Sequence, residues 1–498
     1  MSYLGLDIGT GGCKAVVFNS EGTELGSAFR EYPILHPHQD WAELNSDEVI
    51  EKCFEVIVEV NSMLTDPVVA MCISSQGEAF TPLGENGETL SNAMVSSDSR
   101  ARDLATIWSE NFGMEKIYRI TGHTPHPLFT LYKILWIKEN QPEVWQKARH
   151  FLCFEDLFLF KTGIDPHISW SMAGRTMMFD VINHEWSSEI LGAIGLTPEK
   201  LAKPAPAGQI VGTINSEIGK KLGFKNRVNV VAGGHDQTCA SLGAGVVEPG
   251  MCMYATGTVE CFCPMLETPG FSDELRQNNL CCYDFTIKGK YTTVAYSLTG
   301  GNILRWMRDE FGQPEIAEAA KSGQNPYSLL LESMPSEPTN LLVLPYFSAT
   351  GTPYFDTRAK GAIIGLQHTT TKAEITKGLL EGVALEMKLN LELMEKSGMY
   401  IHTFIATGGG ARNKSWTQLK ADVLNKKVIV RQVKEAGCFG AALLACSATE
   451  NKPVANLLKD FPLESEEFIP DTRKAMIYDQ KFLAYKQLYP ALKQIWSD

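Results

Sequence analysis

The sequence predicts an α/β protein of two domains, and three observations carry that expectation. At 498 residues the chain exceeds the size at which one hydrophobic core keeps growing. It twice runs an apolar strand into a glycine-rich turn that presents a carboxylate: Leu4-Gly-Leu-Asp-Ile-Gly-Thr-Gly-Gly12 at the start and Val230-Val-Ala-Gly-Gly-His-Asp-Gln237 near the midpoint. Strand hairpins followed by alternating strands and helices then recur on both sides of a break at 245–250.

The elements follow in order. Residues 4–8 and 14–18 flank Gly9-Thr-Gly-Gly12 as a β-hairpin, Glu21-Gly22 makes the next turn, and a third strand covers 24–30. Ser46-Asp-Glu-Val-Ile-Glu opens a helix, capped by its Ser or Asp, with apolar residues at helical spacing through Val60. A buried strand at 68–74 ends at Ser75-Gln-Gly-Glu78, and 131–138 and 142–148 read as helices. Periodicity leaves 151–160 open between a strand and a short helix, its phenylalanines read as core. A strand at 229–232 turns through Gly233-Gly234 into a helix over 236–242. Pro249-Gly250 punctuates the chain, dividing an N-terminal domain, 1–245, from a C-terminal domain, 246–498. The second half runs as a strand at 251–255 ending in Thr256-Gly-Thr258, a strand at 291–297, a helix from Gly301 and a strand at 341–344. A long helix at 374–396, a strand at 401–406, Gly408-Gly-Gly410 and a further helix follow.

Composition narrows the function. A net charge of −13 without a Lys/Arg run argues against a nucleic-acid partner, but leaves room for a nucleotide in a local nest of backbone N–H groups. Twelve cysteines include no Cys-x-x-Cys pair, which favours free thiols in a reducing compartment over zinc or disulfides. The chain enters a strand directly and has no window of about 20 apolar residues, so a cytoplasmic enzyme is expected.

Gly9-Thr-Gly-Gly12 lets backbone N–H groups approach phosphate oxygens, and Asp7 beside it suits Mg²⁺, which takes few protein carboxylates and keeps waters. Thr256-Gly-Thr258 and Gly408-Gly-Gly410 are two more small-residue turns, the last placed where a helix N-terminus favours anions. No Gly-x-Gly-x-x-Gly follows the first strand and no Gly-Lys-Ser/Thr occurs, which excludes the Rossmann and P-loop scaffolds. Asp236, at a helix start after a buried strand, is expected to stay ionised at neutral pH and to take a proton from an alcohol attacking a γ-phosphoryl group. His235 reads as a polar turn residue. Gln76-Gly-Glu78 and Asp98-Ser-Arg100 carry amide, carboxylate and guanidinium groups suited to vicinal hydroxyls.

These pieces, in this order over nearly the whole chain, resemble the FGGY family of carbohydrate kinases. The resemblance rests on the first phosphate turn, on His36-Pro-His-Gln-Asp-Trp-Ala-Glu43, and on Ala173-Gly-Arg-Thr-Met-Met-Phe-Asp180 with Trp186. It extends through Pro345-Tyr-Phe-Ser-Ala-Thr-Gly-Thr-Pro-Tyr354 with Lys360-Gly361 and Gly365-Leu366, to Gly408-Gly-Gly-Ala-Arg-Asn-Lys-Ser-Trp416. It implies two actin-like, ribonuclease-H-like domains with an active site in the cleft between them, ATP and Mg²⁺, a small sugar substrate and a homodimer. By residue, it implies Asp236 as catalytic base, Asp7 at the metal, and Thr10, Gly257 and Thr258 at the phosphates. Gly301, Gly409, Gly410 and Asn413 fall along the nucleotide, and Gln76, Glu78 and Gln237 at the substrate.

The departures from the pattern surround the acceptor. Xylulokinases carry Met-His after the glutamine at 76 and Gly-Gly-Asp at the base, where this chain has Gly77-Glu78 and Gly234-His-Asp236; glycerol kinases carry Arg-Glu at the first place. Ser96 stands where both branches tend to have Trp. The leading expectation is a primary hydroxyl of a ketopentose such as xylulose, with glycerol or another polyol, another ketose, or gluconate as alternatives. From other classes, the scaffold serves heat-shock-type ATPases and filament formers, or a sugar sensor without catalysis.

Overall fold

The computed structural model describes residues 1–461 and 464–496, with Asp460 described by its backbone alone. Two six-stranded sheets organise the chain. The first contains β1 (Ser2–Ile8), β2 (Gly12–Asn19), β3 (Glu24–Glu31), β4 (Val68–Ser75), β5 (Ile210–Thr213) and β6 (Asn229–His235), in the order β5-β6-β4-β1-β2-β3. The second contains β7 (Met251–Thr256), β8 (Glu260–Pro264), β9 (Ala295–Ser297), β10 (Thr403–Thr407), β11 (Lys427–Arg431) and β12 (Ser465–Phe468), in the order β12-β11-β10-β7-β8-β9.

The sheets share one plan. Each begins with an antiparallel three-strand meander, and two strands then add parallel to the first. An antiparallel strand closes the far edge of each; β5 precedes its neighbour in the chain, whereas β12 follows its own. Parallel neighbours need crossovers, and the helices supply them. α1 (Ser46–Ser62) links β3 to β4, burying Val49, Cys53, Val56, Ile57 and Val60 at helical spacing. Its cap is Asn45, not Ser46 or Asp47: the Asn45 side chain accepts from the backbone N–H of Asp47 and Glu48. α2 (Asp236–Ala244) follows β6 directly, and α3 (Gly301–Phe311) follows β9. α4 (Lys372–Lys396) carries a Thr371/Glu374 capping box, α5 (Lys414–Leu424) joins β10 to β11, and α6 (Ala436–Glu450) follows β11.

Three expected segments resolve differently. Gly233-Gly234 makes no turn: β6 runs through both glycines to His235, pairing Gly234 with Ser74, and enters α2 directly. Residues 151–160 are both things at once, a strand His150–Cys153 running into a helix Phe154–Lys161, with Phe151, Phe154 and Phe158 buried. The strand expected over 291–297 is broken: Tyr291–Thr292 pairs with Tyr283–Asp284, while Ala295–Ser297 joins the second sheet.

Each sheet has a core, and a third apolar cluster joins the halves. It takes Tyr3, Val16, Cys72 and Val231 from the first sheet, Met253, Cys263 and Ile405 from the second, and Leu242 of α2 with Phe439 and Leu443 of α6 between them. Bare backbone permits this approach. A Cβ on Gly5 of β1 would stand 1.9 Å from the Cys438 carbonyl oxygen, and one on Gly243 equally close to that of Ala436. The second half is thereby pinned on the first behind the strand ends that carry the site.

Candidate active site

β1 and β6 lie parallel on either side of β4, so their C-terminal ends emerge at one edge of the first sheet. Asp7 pairs in register with Ser74, and His235 with Ser75, which brings two carboxylates 229 positions apart in the chain to one place. Ser74 Oγ donates to Asp7 Oδ1 at 2.5 Å. Burial raises the Asp7 carboxyl above its ordinary range against that hydrogen bond, and Glu435, itself 2.7 Å from Lys14, adds to the rise.

Asp236 starts α2 with about a third of its side chain exposed. Its proton affinity corrects the expectation of a fully ionised group. Burial of the remainder pushes its pKa up to about 7, the charges of Asp7 and Glu78 add to the rise, and hydrogen bonds from Gln237 oppose it. At neutral pH the carboxyl therefore exchanges protons readily, as a general base requires. Asp236 also lies near Cys261 on β8, whose thiol is held up first by burial, then by Cys263 and by Asp236. β8 begins two residues after Thr258, so the strand whose Cys261 feels the charge of Asp236 is the one that leaves the second small-residue turn.

The other residues expected on the acceptor side gather at the same edge. Thr10 Oγ1 donates to Gln76 Oε1 at 3.0 Å, and Gln76 Nε2 donates to the Gly9 carbonyl at 2.9 Å, so this carboxamide braces the first glycine turn. Glu78 sits at φ +64°, which turns its buried side chain back to Arg175, whose Nε donates to Oε1 at 2.5 Å. The guanidinium also lies over the rings of Phe129 and Tyr283. Asp98 and Arg100 are spent on structure. Arg100 bonds Asp98 at 2.7 Å and Glu43 at 2.6 Å, and stacks 3.7 Å from the Trp41 ring.

In the second half a cavity of about 490 Å³ opens between the β7–β8 turn, the start of α3 and the turn before α5. Gly257, Thr258, Gly301, Gly409, Gly410 and Asn413 all line it. Gly301 N–H donates to the Gly257 carbonyl at 2.8 Å and ties the turn to α3. Gly408-Gly-Gly410 does not enter a helix directly: Gly409–Arg412 forms one 3₁₀ turn, and Asn413 then caps α5 by accepting from the Trp416 N–H at 3.0 Å. Beneath the turn, buried Lys420 pairs with Glu260 at 2.6 Å and hydrogen-bonds Thr256 Oγ1. A concave site of this size suits a small ligand; its lining mixes apolar Leu304, Leu331 and Trp416 with polar Asn302, Arg305 and Arg412, and its bare glycine backbone suits a phosphate-bearing ligand.

Sequence reasoning passed over Arg175 and Tyr283 on the acceptor side, and Asn302, Arg305, Tyr327 and Arg412 around the cavity. Arg175 lay inside a quoted motif. So did Arg412, within the motif at 408–416; Tyr283, Asn302, Arg305 and Tyr327 stand on segments whose proximity only the fold creates.

For a divalent cation, Asp7 is the fitting ligand: a hard carboxylate at the cleft edge with Ser74 on one oxygen. Among the described residues no group of three or more His, Cys, Asp or Glu could hold an ion by itself. Mg²⁺ takes one or two protein carboxylates beside waters and substrate phosphates, so Asp7 would be enough of a protein ligand for it. All twelve cysteines are buried and free. Among the described residues no helix is long and apolar enough to cross a membrane.

Models of the N-terminal and C-terminal domains of the FGGY family of carbohydrate kinases match residues 2–243 and 252–449. A xylulose kinase of Bacillus subtilis (strain 168) is 26% identical over 501 residues, covering 99% of this chain and 98% of that protein. A gluconokinase of Bacillus licheniformis is 27% identical over 500 residues, covering 99% and 96%. The solved structure of a ligand-bound xylulose kinase from Lactobacillus acidophilus superposes with a TM-score of 0.90 at 23% identity, covering 99% of both chains, a likeness of fold. Both halves match one family in order and over most of their length, so the chain belongs to the FGGY family of carbohydrate kinases and is a sugar kinase with two actin-like, ribonuclease-H-like domains.

Proposed function

We propose that this kinase transfers the γ-phosphoryl group of ATP to a primary hydroxyl of a small neutral sugar, a ketopentose such as xylulose first among them. One observation carries the reading. Asp236, with a proton affinity near neutrality, stands beside Asp7 and Glu78 on one side and next to the strand that leaves the glycine-lined cavity on the other.

The nucleotide lies in the cavity, its phosphates along Gly257 and Thr258 and toward Thr10. The acceptor hydroxyl attacks the γ-phosphorus, forming an O–P bond as the bond to the ADP oxygen breaks, and Asp236 takes the hydroxyl proton. Mg²⁺, held through Asp7, supplies neutralisation of phosphate charge.

The acceptor side favours a neutral substrate. Arg175 is engaged by Glu78 and is therefore not a free cation for an aldonate carboxylate, while Asp7, Glu78 and Asp236 place three carboxyl groups around the acceptor. Gluconate is the second reading, because a gluconokinase is as similar to this chain as a xylulose kinase is.

Coupled ADP release against pentuloses, hexuloses, polyols and aldonates tests the acceptor. Neutral ketoses are expected to raise turnover well above basal hydrolysis, and an aldonate ranking first would overturn the neutral reading. Asp236→Ala is expected to retain ATP binding and to lower kcat by about 10³-fold or more. Near-normal turnover in that variant would remove Asp236 from the role of base.

A further inference from the structure

His235 enters neither the nucleotide cavity nor the proton transfer as described, yet it is only 6% exposed and both ring nitrogens have partners. Nδ1 lies 2.9 Å from the Tyr283 hydroxyl, and Nε2 lies 3.3 Å from Asp236 Oδ1. Its backbone N–H donates to Ser171 Oγ at 3.1 Å, which anchors the ring from behind.

The partners settle the tautomer. A neutral imidazole has one N–H and one lone pair. Burial and the charge of Arg175 hold the ring well below the ordinary histidine range, so it is neutral at pH 7. In the state in which Asp236 can act as a base it is ionised and offers acceptors only, so in that state Nε2 carries the hydrogen facing it. Nδ1 then accepts from the Tyr283 hydroxyl, which burial keeps protonated. One line of contacts results: the phenol hydrogen-bonds the imidazole, and the imidazole Nε2 stands 3.3 Å from the carboxylate.

Two further contacts fix this line in space. Tyr283 belongs to the second half but is packed into the first-half core: the Cys282 N–H donates to the Gly122 carbonyl at 2.8 Å, and Asp284 meets His184 at 3.0 Å. On the other side of the ring is Gly77. A Cβ there would stand 3.1 Å from His235 Cδ2 and 3.2 Å from Nε2, closer than ordinary carbon contacts, and it would press on the very atom that faces the base.

We propose that His235 is a positioning residue for this kinase: its Nε2–H orients the Asp236 carboxylate toward the acceptor hydroxyl, Tyr283 fixes the ring, and Gly77 is bare to leave the ring its place. The proposal rests on the reading of Asp236 as the base. It also gives the two departures at 77 and 235 a single cause, since the two positions touch.

The test measures kcat and both KM values with saturating ATP and the best acceptor of the panel, alongside Asp236→Ala. His235→Ala is expected to lower kcat about 30–100-fold, the scale of a misplaced catalytic group, with the KM for ATP within twofold. His235→Gln, which keeps an N–H donor, is expected to recover most of that loss. Tyr283→Phe and Gly77→Ala should each lower kcat several-fold in the native background and have no further effect on kcat in His235→Ala, because contacting residues are not additive.

An active Asp236→Ala overturns the base reading itself. A dead Asp236→Ala together with native kcat in His235→Ala and His235→Gln overturns the positioning role. Equal losses in His235→Ala and His235→Gln, or additive losses for Gly77→Ala, also overturn it. Thermal melting and ATP affinity of each variant separate these outcomes from failure to fold.

Discussion

At the proposed nucleotide end, three short turns rich in glycine and threonine, each following a strand, bring bare backbone to the cavity beside the side chains of Asn302, Arg305, Tyr327 and Arg412. At the acceptor end, the same sheet plan presents side chains: Glu78 with Arg175, His235 with Tyr283, and Asp7 with Ser74. A phosphate is held well by N–H groups and a dipole, which depend on chain geometry and little on residue identity. An acceptor hydroxyl needs a proton acceptor of tuned affinity, and tuning comes from buried charges whose partners lie far apart in sequence. The first kind of site depends most on backbone space; the second depends on side-chain identity, and at Gly77, against the His235 ring, on backbone space as well.

The largest effect expected follows from breaking the Glu78–Arg175 pair. Both groups are largely buried, at 5% and 14% side-chain exposure. Arg175→Ala strands a carboxylate next to Asp236, and loss of one partner of a buried pair costs about 3–5 kcal/mol. Chemical denaturation should show that loss, and the KM for the acceptor should rise more than that for ATP. Glu78→Gln is the sharper variant. It removes one of the charges that raise the Asp236 carboxyl, so the acid limb of the kcat/KM profile should move to lower pH. A limb that stays in place, or moves up, would separate Glu78 from the base.

Asp236 itself links the acceptor end to stability. Its folded value, about 7, lies above the ordinary 3.8, so the folded protein holds this proton more tightly than the unfolded chain does. Ionising the group therefore costs the folded state. Stability is fully present below about pH 4, declines as pH rises toward 7, and levels off above. Asp236→Asn removes the cost and should raise stability by about 1–3 kcal/mol at pH 8, with the gain vanishing by about pH 4. A variant that is inactive and yet more stable at high pH would show charge frustration confined to this end. Equal melting temperatures at both pH values would refute it.

How far each end was readable from sequence follows the same division. Most strand–turn units were legible because a local pattern, apolar run then glycine, dictates a local shape; of the seven residues expected along the nucleotide, six line the cavity, while Thr10 stands apart at the first sheet on Gln76. Asp7 and Asp236 were legible for the same reason. The ionisation of Asp236 was misjudged because it is set by Asp7 and Glu78, brought together only by the parallel pairing of β1, β4 and β6. Asp98 and Arg100 looked available for hydroxyls, and only the fold reveals that Trp41, Glu43 and Trp136 already surround that guanidinium. The break at 293–294 escaped notice because Tyr, Thr and Val suit any strand, whichever sheet they join.

At the nucleotide end, space is the vulnerable quantity. A Cβ on Gly410 would stand 2.3 Å from Thr256 Cγ2 and 2.8 Å from the Trp416 ring, whereas one on Gly409 would meet nothing within 4 Å of protein. Gly410→Ala should raise the KM for ATP about tenfold or more and leave the acceptor KM near its native value, since strain in a packed turn costs about 1–3 kcal/mol. Gly409→Ala, with room in the empty cavity, separates protein packing from ligand approach: a rise in the KM for ATP there with unchanged melting temperature marks a ligand-facing position.

The smallest expected effect tests whether a residue named for the nucleotide serves the backbone first. Asn413 Oδ1 already accepts from the Trp416 N–H and caps α5, while its side chain also borders the cavity. Loss of such a cap costs about 1 kcal/mol. Asn413→Asp keeps an accepting oxygen at the helix N-terminus, adds a charge the dipole favours, and deletes the NH₂ donor. If the cap is the main role, Asn413→Ala should lower stability by about that amount while Asn413→Asp does not, and neither should change the KM for ATP more than threefold. If the donor faces the nucleotide, Asn413→Asp should weaken ATP binding at native stability, and more than Asn413→Ala, because a carboxylate placed against phosphates repels them where a methyl group is merely indifferent.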